Sequence, residues 1–150
     1  MISMTTIAWD GNTLAADSCS WSGGARRRVK KVHKIIAPDG RKYLFACCGE
    51  GSFALAVLDY MNGKSAMPDH SKFGVDPINQ FAIVIDEKLR IWNMSANLTY
   101  VRYYEKIYAI GAGQEFAWGA LEAGATAKRA VQIAIKRSDY AGLGVDCIRF

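Results

Sequence analysis

Thr5, Asp17 and Lys31 are residues whose types and order along the chain can do chemistry. A threonine hydroxyl is a weak nucleophile and needs a base within hydrogen-bond reach. An N-terminal threonine carries one in its own α-amine, whose ordinary pKa of about 7.7–8.0 leaves a neutral fraction near pH 7. A neighbouring ammonium lowers the pKa of that amine and stabilises charge developing on the hydroxyl oxygen. Lys31 is the candidate ammonium, and Asp17 the carboxylate that pairs with it and orients it. An oxyanion also needs donors. Backbone N–H groups from Cys47 to Gly49 are candidates, and Cys47 fits best by its place after Phe45-Ala46. Met1 to Met4 stand before Thr5 as a candidate leader. Thr5 gains a free amine only when they are removed, or when translation begins at Met4 and that methionine is trimmed.

Each residue also has a plainer reading: Thr5 as a frayed terminal residue, Asp17 as a strand-end carboxylate, Lys31 as part of a solvated basic cluster. Their order gives them weight only if strands bring them together. Thr5 to Trp9 is rich in β-branched residues and suits a strand. Asp10-Gly11 is a turn signal, and Thr13 to Trp21 reads as the returning strand. Ser22 to Ala25 connects to a third strand over Val29 to Ile36, and Pro38-Asp39-Gly40 turns the chain into Lys42 to Cys48. This meander predicts antiparallel pairing.

The period then changes to helical over Gly51 to Met61, with Asn62-Gly63 as the stop. Residues 64–77 read as a loop. Phe81 to Ile85, Leu89 to Met94, Leu98 to Tyr104 and Tyr108 to Ile110 read as strands, with Asp86-Glu87-Lys88 closing the first hairpin. Glu115 to Ala123 and the stretch from Thr126, as N-cap, to about Ser138 read as two helices, and Val145 to Phe150 as a last strand. Strands, a helix, strands, two helices and a strand predict one α+β domain over residues 1–150, a sandwich whose helices cover two sheets.

Composition narrows the function classes. The chain is 51% hydrophobic and 22% charged, which describes a globular protein. It has neither an apolar run of about 18 residues, as a membrane span requires, nor a signal-peptide pattern. Cys19, Cys47, Cys48 and Cys147 lack zinc-ligand spacing and read as reduced thiols in a cytoplasmic protein. A Cys–His pair with His33 is a weaker nucleophile reading, because neither His33 nor His70 carries a motif. Of the net charge of +5, much comes from Arg26, Arg27, Arg28, Lys30, Lys31 and Lys34. Such a cluster can neutralise phosphates, but with no recognition helix or aromatic platform beside it, a solvated face is the better reading than nucleic-acid binding.

Thr5-Thr6-Ile7, Leu14-Ala15-Ala16-Asp17 and Val29-Lys30-Lys31-Val32, in that order, resemble the proteasome β-subunit family, most closely its HslV branch. Phe45-Ala46-Cys47-Cys48-Gly49 is similar to the family's turn before its first long helix, and Tyr108 to Gly113 to the segment before its later helices. Tyr140 to Gly144 resembles its Ser-Gly-Gly loop. The resemblance covers almost the whole chain. It implies a four-layer αββα sandwich of antiparallel sheets and a threonine-type N-terminal-nucleophile (Ntn) peptidase, with Thr5, Asp17, Lys31 and the Cys47 amide in its site. It also implies a homo-oligomeric ring, an unfolded polypeptide substrate and no metal or organic cofactor. Any ATPase would be a separate partner, because this chain has no nucleotide-binding motif. Ala112 and Ala141 stand where the family has serines, and Asp139 matches the family's nearby carboxylate after a one-residue shift. The leader and those lost hydroxyls favour one alternative, a catalytically silent ring-forming structural or binding protein; a small-molecule amidase on the same fold is another, because this nucleophile arrangement serves many amide substrates.

Overall fold

The computed structural model describes residues 5–49, 51–75, 80–138 and 141–150. Eleven strands and three helices run in the order β1 (Thr6–Trp9), β2 (Leu14–Asp17), β3 (Cys19–Ser22), β4 (Ala25–Arg28), β5 (Val32–Ile36), β6 (Lys42–Cys47), α1 (Gly51–Met61), β7 (Gln80–Asp86), β8 (Ile91–Ser95), β9 (Tyr100–Tyr103), β10 (Tyr108–Gly111), α2 (Gln114–Glu122), α3 (Ala127–Arg137) and β11 (Val145–Ile148). All pairings are antiparallel. One sheet has the order β10-β1-β2-β11, a second β5-β6-β7-β8-β9, and β3-β4 forms a separate ribbon.

Strand alternation sorts the apolar residues into three cores. Ile7, Trp9, Leu14 and Ala16 point from the four-stranded sheet onto Val32, Leu44, Ile83 and Ile91 of the five-stranded one. Their neighbours Ala8, Ala15 and Ala109 face the other way, onto Ala127, Ala130 and Ala134 of α3. Small side chains on both sides let α3 lie close to the sheet. On the far side of the five-stranded sheet, Phe45, Val84 and Met94 pack against Phe53 and Val57 of α1. The layers are therefore α1, five-stranded sheet, four-stranded sheet, and α2 with α3.

Asp10 ties two of these layers together. Its Oδ1 accepts from the Asn12 and Thr13 N–H groups at 2.9 and 2.7 Å and closes the β1–β2 turn, where Gly11 takes the positive φ of 94°. Its Oδ2 accepts from the Ala127 N–H at 2.7 Å, placing a carboxylate on the first turn of α3 beside the Thr126 cap.

One expected strand is broken in two and another is shortened. The strand read over Thr13 to Trp21 stops at Ser18, whose N–H turns to the Gly142 and Gly144 carbonyls, both at 3.1 Å. The strand read over Val29 to Ile36 begins only at Val32, as β5, and the stretch before it holds an additional strand, β4. Within the expected 64–77 loop, His70–Phe73 forms a 3-10 turn capped by Asp69, which accepts from the Ser71 N–H. Among the described residues, no helix is long and apolar enough to cross a membrane.

Candidate active site

Three strand ends meet at one buried point. Thr5 precedes β1, and its carbonyl accepts from the Ala112 N–H at 2.8 Å, which carries the β1–β10 pairing one residue further. Asp17 closes β2. Lys31 precedes β5, and its carbonyl accepts from the Cys47 N–H at 3.1 Å. Lys31 Nζ then lies 3.1 Å from Thr5 Oγ1 and 3.0 and 3.1 Å from the two Asp17 oxygens. The Lys31 and Asp17 side chains are 9% and 0% exposed, so the pair is taken out of water almost completely.

A buried ion pair is tolerable only when its remaining hydrogen-bonding capacity is met. Asp17 Oδ1 also accepts from the Thr6 N–H at 2.9 Å, and Oδ2 from the Cys19 and Gly142 N–H groups, each at 3.2 Å. The break at Ser18 therefore has a use. The Cys19 N–H turns to Asp17 where the β2 ladder ends, and the loop at Gly142 reaches across to the same carboxylate. Thr5, Thr6, Asp17, Ser18 and Lys31 make up five of the six buried polar or charged residues among those described.

The expected site residues do not all fall together. Thr5, Asp17 and Lys31 form one hydrogen-bonded cluster. The Cys47 N–H, expected to face an oxyanion, has a ladder partner instead, because β5 and β6 continue pairing one residue beyond Val32↔Ala46. Asp139 and residues 1–4 lie outside the described residues. Ala112 offers no hydroxyl near Thr5, and its carbonyl accepts from Thr6 Oγ1. Ala141 is buried, with its N–H 3.4 Å from Ser138 Oγ.

Thr6, Ser18 and Gly142 were missed from sequence. Ser18 Oγ donates to Asp146 Oδ2 at 2.8 Å while its N–H holds the 142–144 loop. Its position next to Asp17 was the available signal. The loop contact links residues 125 apart, and its signal was the resemblance of Tyr140 to Gly144 to the family's Ser-Gly-Gly loop.

Cys47 and Cys48 do not make a rival nucleophile. Burial, with the neighbouring Cys48, pushes the Cys47 thiol up to about 12 against the opposing pull of Lys31. Burial likewise pushes Cys48 up to about 11. Both stay protonated at neutral pH, and a thiol is far less nucleophilic than a thiolate. His33 is held below its ordinary pKa, chiefly by burial, with Nε2 3.2 Å from the Lys30 carbonyl. No group of three or more possible metal ligands occurs among the described residues.

The sequence matches no family model and no curated protein. Its fold does match solved structures. It superposes on Thiobacillus denitrificans BPH with a TM-score of 0.66 and 22% identity, over 97% of this chain and 96% of that one. A second structure of the Thiobacillus protein is a complex with epoxomicin. Eukaryotic HslV from Trypanosoma brucei gives 0.63 and 16%, over 95% and 97% of the two chains. Anbu from Hyphomicrobium sp. strain MC1 gives 0.69 and 12%, over 97% of this chain and 81% of the other. At these identities the likeness carries the architecture: the chain has the α+β Ntn fold of proteasome- and HslV-like proteins.

Proposed function

We propose that this protein is a threonine peptidase that cleaves unfolded polypeptides inside a cytoplasmic homo-oligomeric ring, fed by a separate ATPase. The observation that carries the reading is Lys31 Nζ, 3.1 Å from the Thr5 hydroxyl and held by Asp17 in a buried cluster. Once Thr5 is N-terminal, its α-amine takes the hydroxyl proton as Oγ1 attacks the scissile carbonyl carbon. The protonated amine then gives that proton to the leaving amine, and the acyl ester on Thr5 is cleaved by water. Lys31 favours the neutral amine and stabilises the developing negative charge. Asp17 holds Lys31 in place.

A ring-forming protein without peptidase activity is the second reading. It is favoured by Ala112, which puts no hydroxyl beside Thr5, and by the engaged Cys47 N–H. Intact mass and N-terminal sequence of the purified protein, followed by fluorogenic peptide hydrolysis, decide between the two. The peptidase reading expects a chain starting at Thr5, with hydrolysis lost in Thr5→Ala and suppressed by epoxomicin. A processed ring with no Thr5-dependent hydrolysis overturns it in favour of the silent reading. Hydrolysis of small amides but not peptides would assign the same nucleophile to an amidase.

A further inference from the structure

Between Asp17 and Asp39 the chain has six lysines and arginines and no carboxylate. Lys31 is buried with Asp17, while Arg26, Arg27, Arg28, Lys30 and Lys34 are exposed. The first four belong to the β3–β4 ribbon or the residues just after it, which is bonded directly to the site. The Val29 N–H donates to the Ser18 carbonyl at 2.8 Å, and Arg28 reaches Asp146 at 3.6 Å. The Arg26 guanidinium lies so close to Gly142 that an added Cβ would meet its Nη2 at 2.3 Å, and the Gly142 N–H bonds Asp17.

These cations divide by what they touch. Arg28 is partly neutralised by Asp146, and Arg26 covers the Trp21 ring at 5.8 Å. Arg27 and Lys30 form no ion pair with any described residue. Two free cations on a ribbon anchored beside the cluster would raise the local concentration of anionic ligands near Thr5.

We infer that the β3–β4 ribbon selects acidic polypeptide segments for the Thr5 site, with Arg27 and Lys30 meeting the substrate carboxylates. This deepens the peptidase reading and rests on it. Acidic polypeptide is favoured over nucleic acid because the ribbon's one aromatic side chain, Trp21, is already faced by Arg26. A lone aromatic is a poor platform for stacking successive bases.

The test uses the full chain carrying Thr5→Ala, so binding is read without turnover. Fluorescence anisotropy compares a labelled, unstructured glutamate-rich peptide with its glutamine counterpart. The inference expects preference for the glutamate peptide, roughly tenfold weaker binding after Arg27→Gln with Lys30→Gln, and collapse of the preference near 1 M salt, where the Debye length is about 3 Å. The same charge change made by Lys128→Gln with Lys136→Gln on α3 should leave binding unaltered. Equal binding of both peptides, or no effect of the Arg27/Lys30 change, overturns the inference. So does tighter binding of a single-stranded oligonucleotide. A changed oligomeric state in the Arg27/Lys30 variant also overturns it, by assigning the cations to a contact between copies. In the Thr5-bearing protein, hydrolysis without charge preference defeats this inference alone. Absent hydrolysis with intact ribbon-dependent binding defeats the peptidase reading alone.

Discussion

Asp17 and Asp86 are two buried carboxylates that look alike in their bonding and differ in reach. Asp86 accepts from the Lys88 and Arg90 N–H groups at 3.0 and 2.9 Å, from Arg90 Nε at 2.6 Å and from the Trp92 indole at 3.1 Å. Asp17 likewise accepts several backbone N–H groups and one cation. Among the described residues, every partner of the Asp86 carboxylate lies within six residues, so its bonds close the β7–β8 hairpin. The partners of Asp17 come from residues 6, 19, 31 and 142, and its cation continues to a hydroxyl. A dense shell of donors marks a well-satisfied carboxylate. The onward contact from Lys31 to Thr5 is what distinguishes a candidate site from a turn.

The contrast is broken most forcefully at Asp17. Removing one partner of a buried pair leaves the other charge uncompensated, and Asp17→Ala is expected to cost about 3–5 kcal/mol in urea denaturation. Peptide hydrolysis should disappear along with it. Pairing Asp17→Ala with Lys31→Met removes both charges and should recover most of that stability but none of the hydrolysis. Recovery of hydrolysis would remove Lys31 from the proposed chemistry.

Asp86→Ala should be milder, about 1–3 kcal/mol for a carboxylate whose donors can partly turn to water, with hydrolysis per folded molecule unchanged. Burial by itself would raise the Asp86 pKa, but the Arg90 N–H, the Trp92 indole and the Arg90 side chain together hold it below its ordinary 3.8. A lowered folded-state pKa contributes stability that is full above the unfolded value and is lost as pH falls through the folded one. The stability gap between the wild type and Asp86→Asn should therefore be constant from pH 5 to 7 and shrink below about 4. A gap that widens in acid would reverse that assignment.

The same contrast explains what was legible in the sequence. The Asp86 hairpin could be read locally, because its turn residues and its bonds occupy one short stretch. The strands carrying Thr5 and Lys31, and the helices from Gly51 and Thr126, could be read from period and turn residues. The break at Ser18 could not, because small and polar residues run through it without a Gly or Pro. It arises from the Ser18 N–H turning to the 142–144 loop, far away in the chain. The second role of Asp10, on the first turn of α3, was hidden for the same reason: the turn it closes is local, whereas Ala127 is 117 residues on. The Cys47 amide was misread because a single residue of extra β5–β6 pairing decides whether an N–H is engaged.

Thr6 gives the finest division between structure and chemistry. Its backbone N–H holds Asp17, while its hydroxyl holds the Ala112 carbonyl beside Thr5. Thr6→Val keeps the side-chain shape, the strand preference and the N–H, and removes only the hydroxyl. The expected cost is about 1 kcal/mol, one hydrogen bond to a part-buried carbonyl, measured by the shift in urea midpoint. Because the Asp17–Lys31 pair is untouched, the loss should fall well short of that in Asp17→Ala. If hydrolysis nevertheless fell as far as it does in Asp17→Ala, the Ala112 carbonyl would be part of what positions Thr5. The hydroxyl missing from Ala112 would then have its counterpart one residue along, on Thr6.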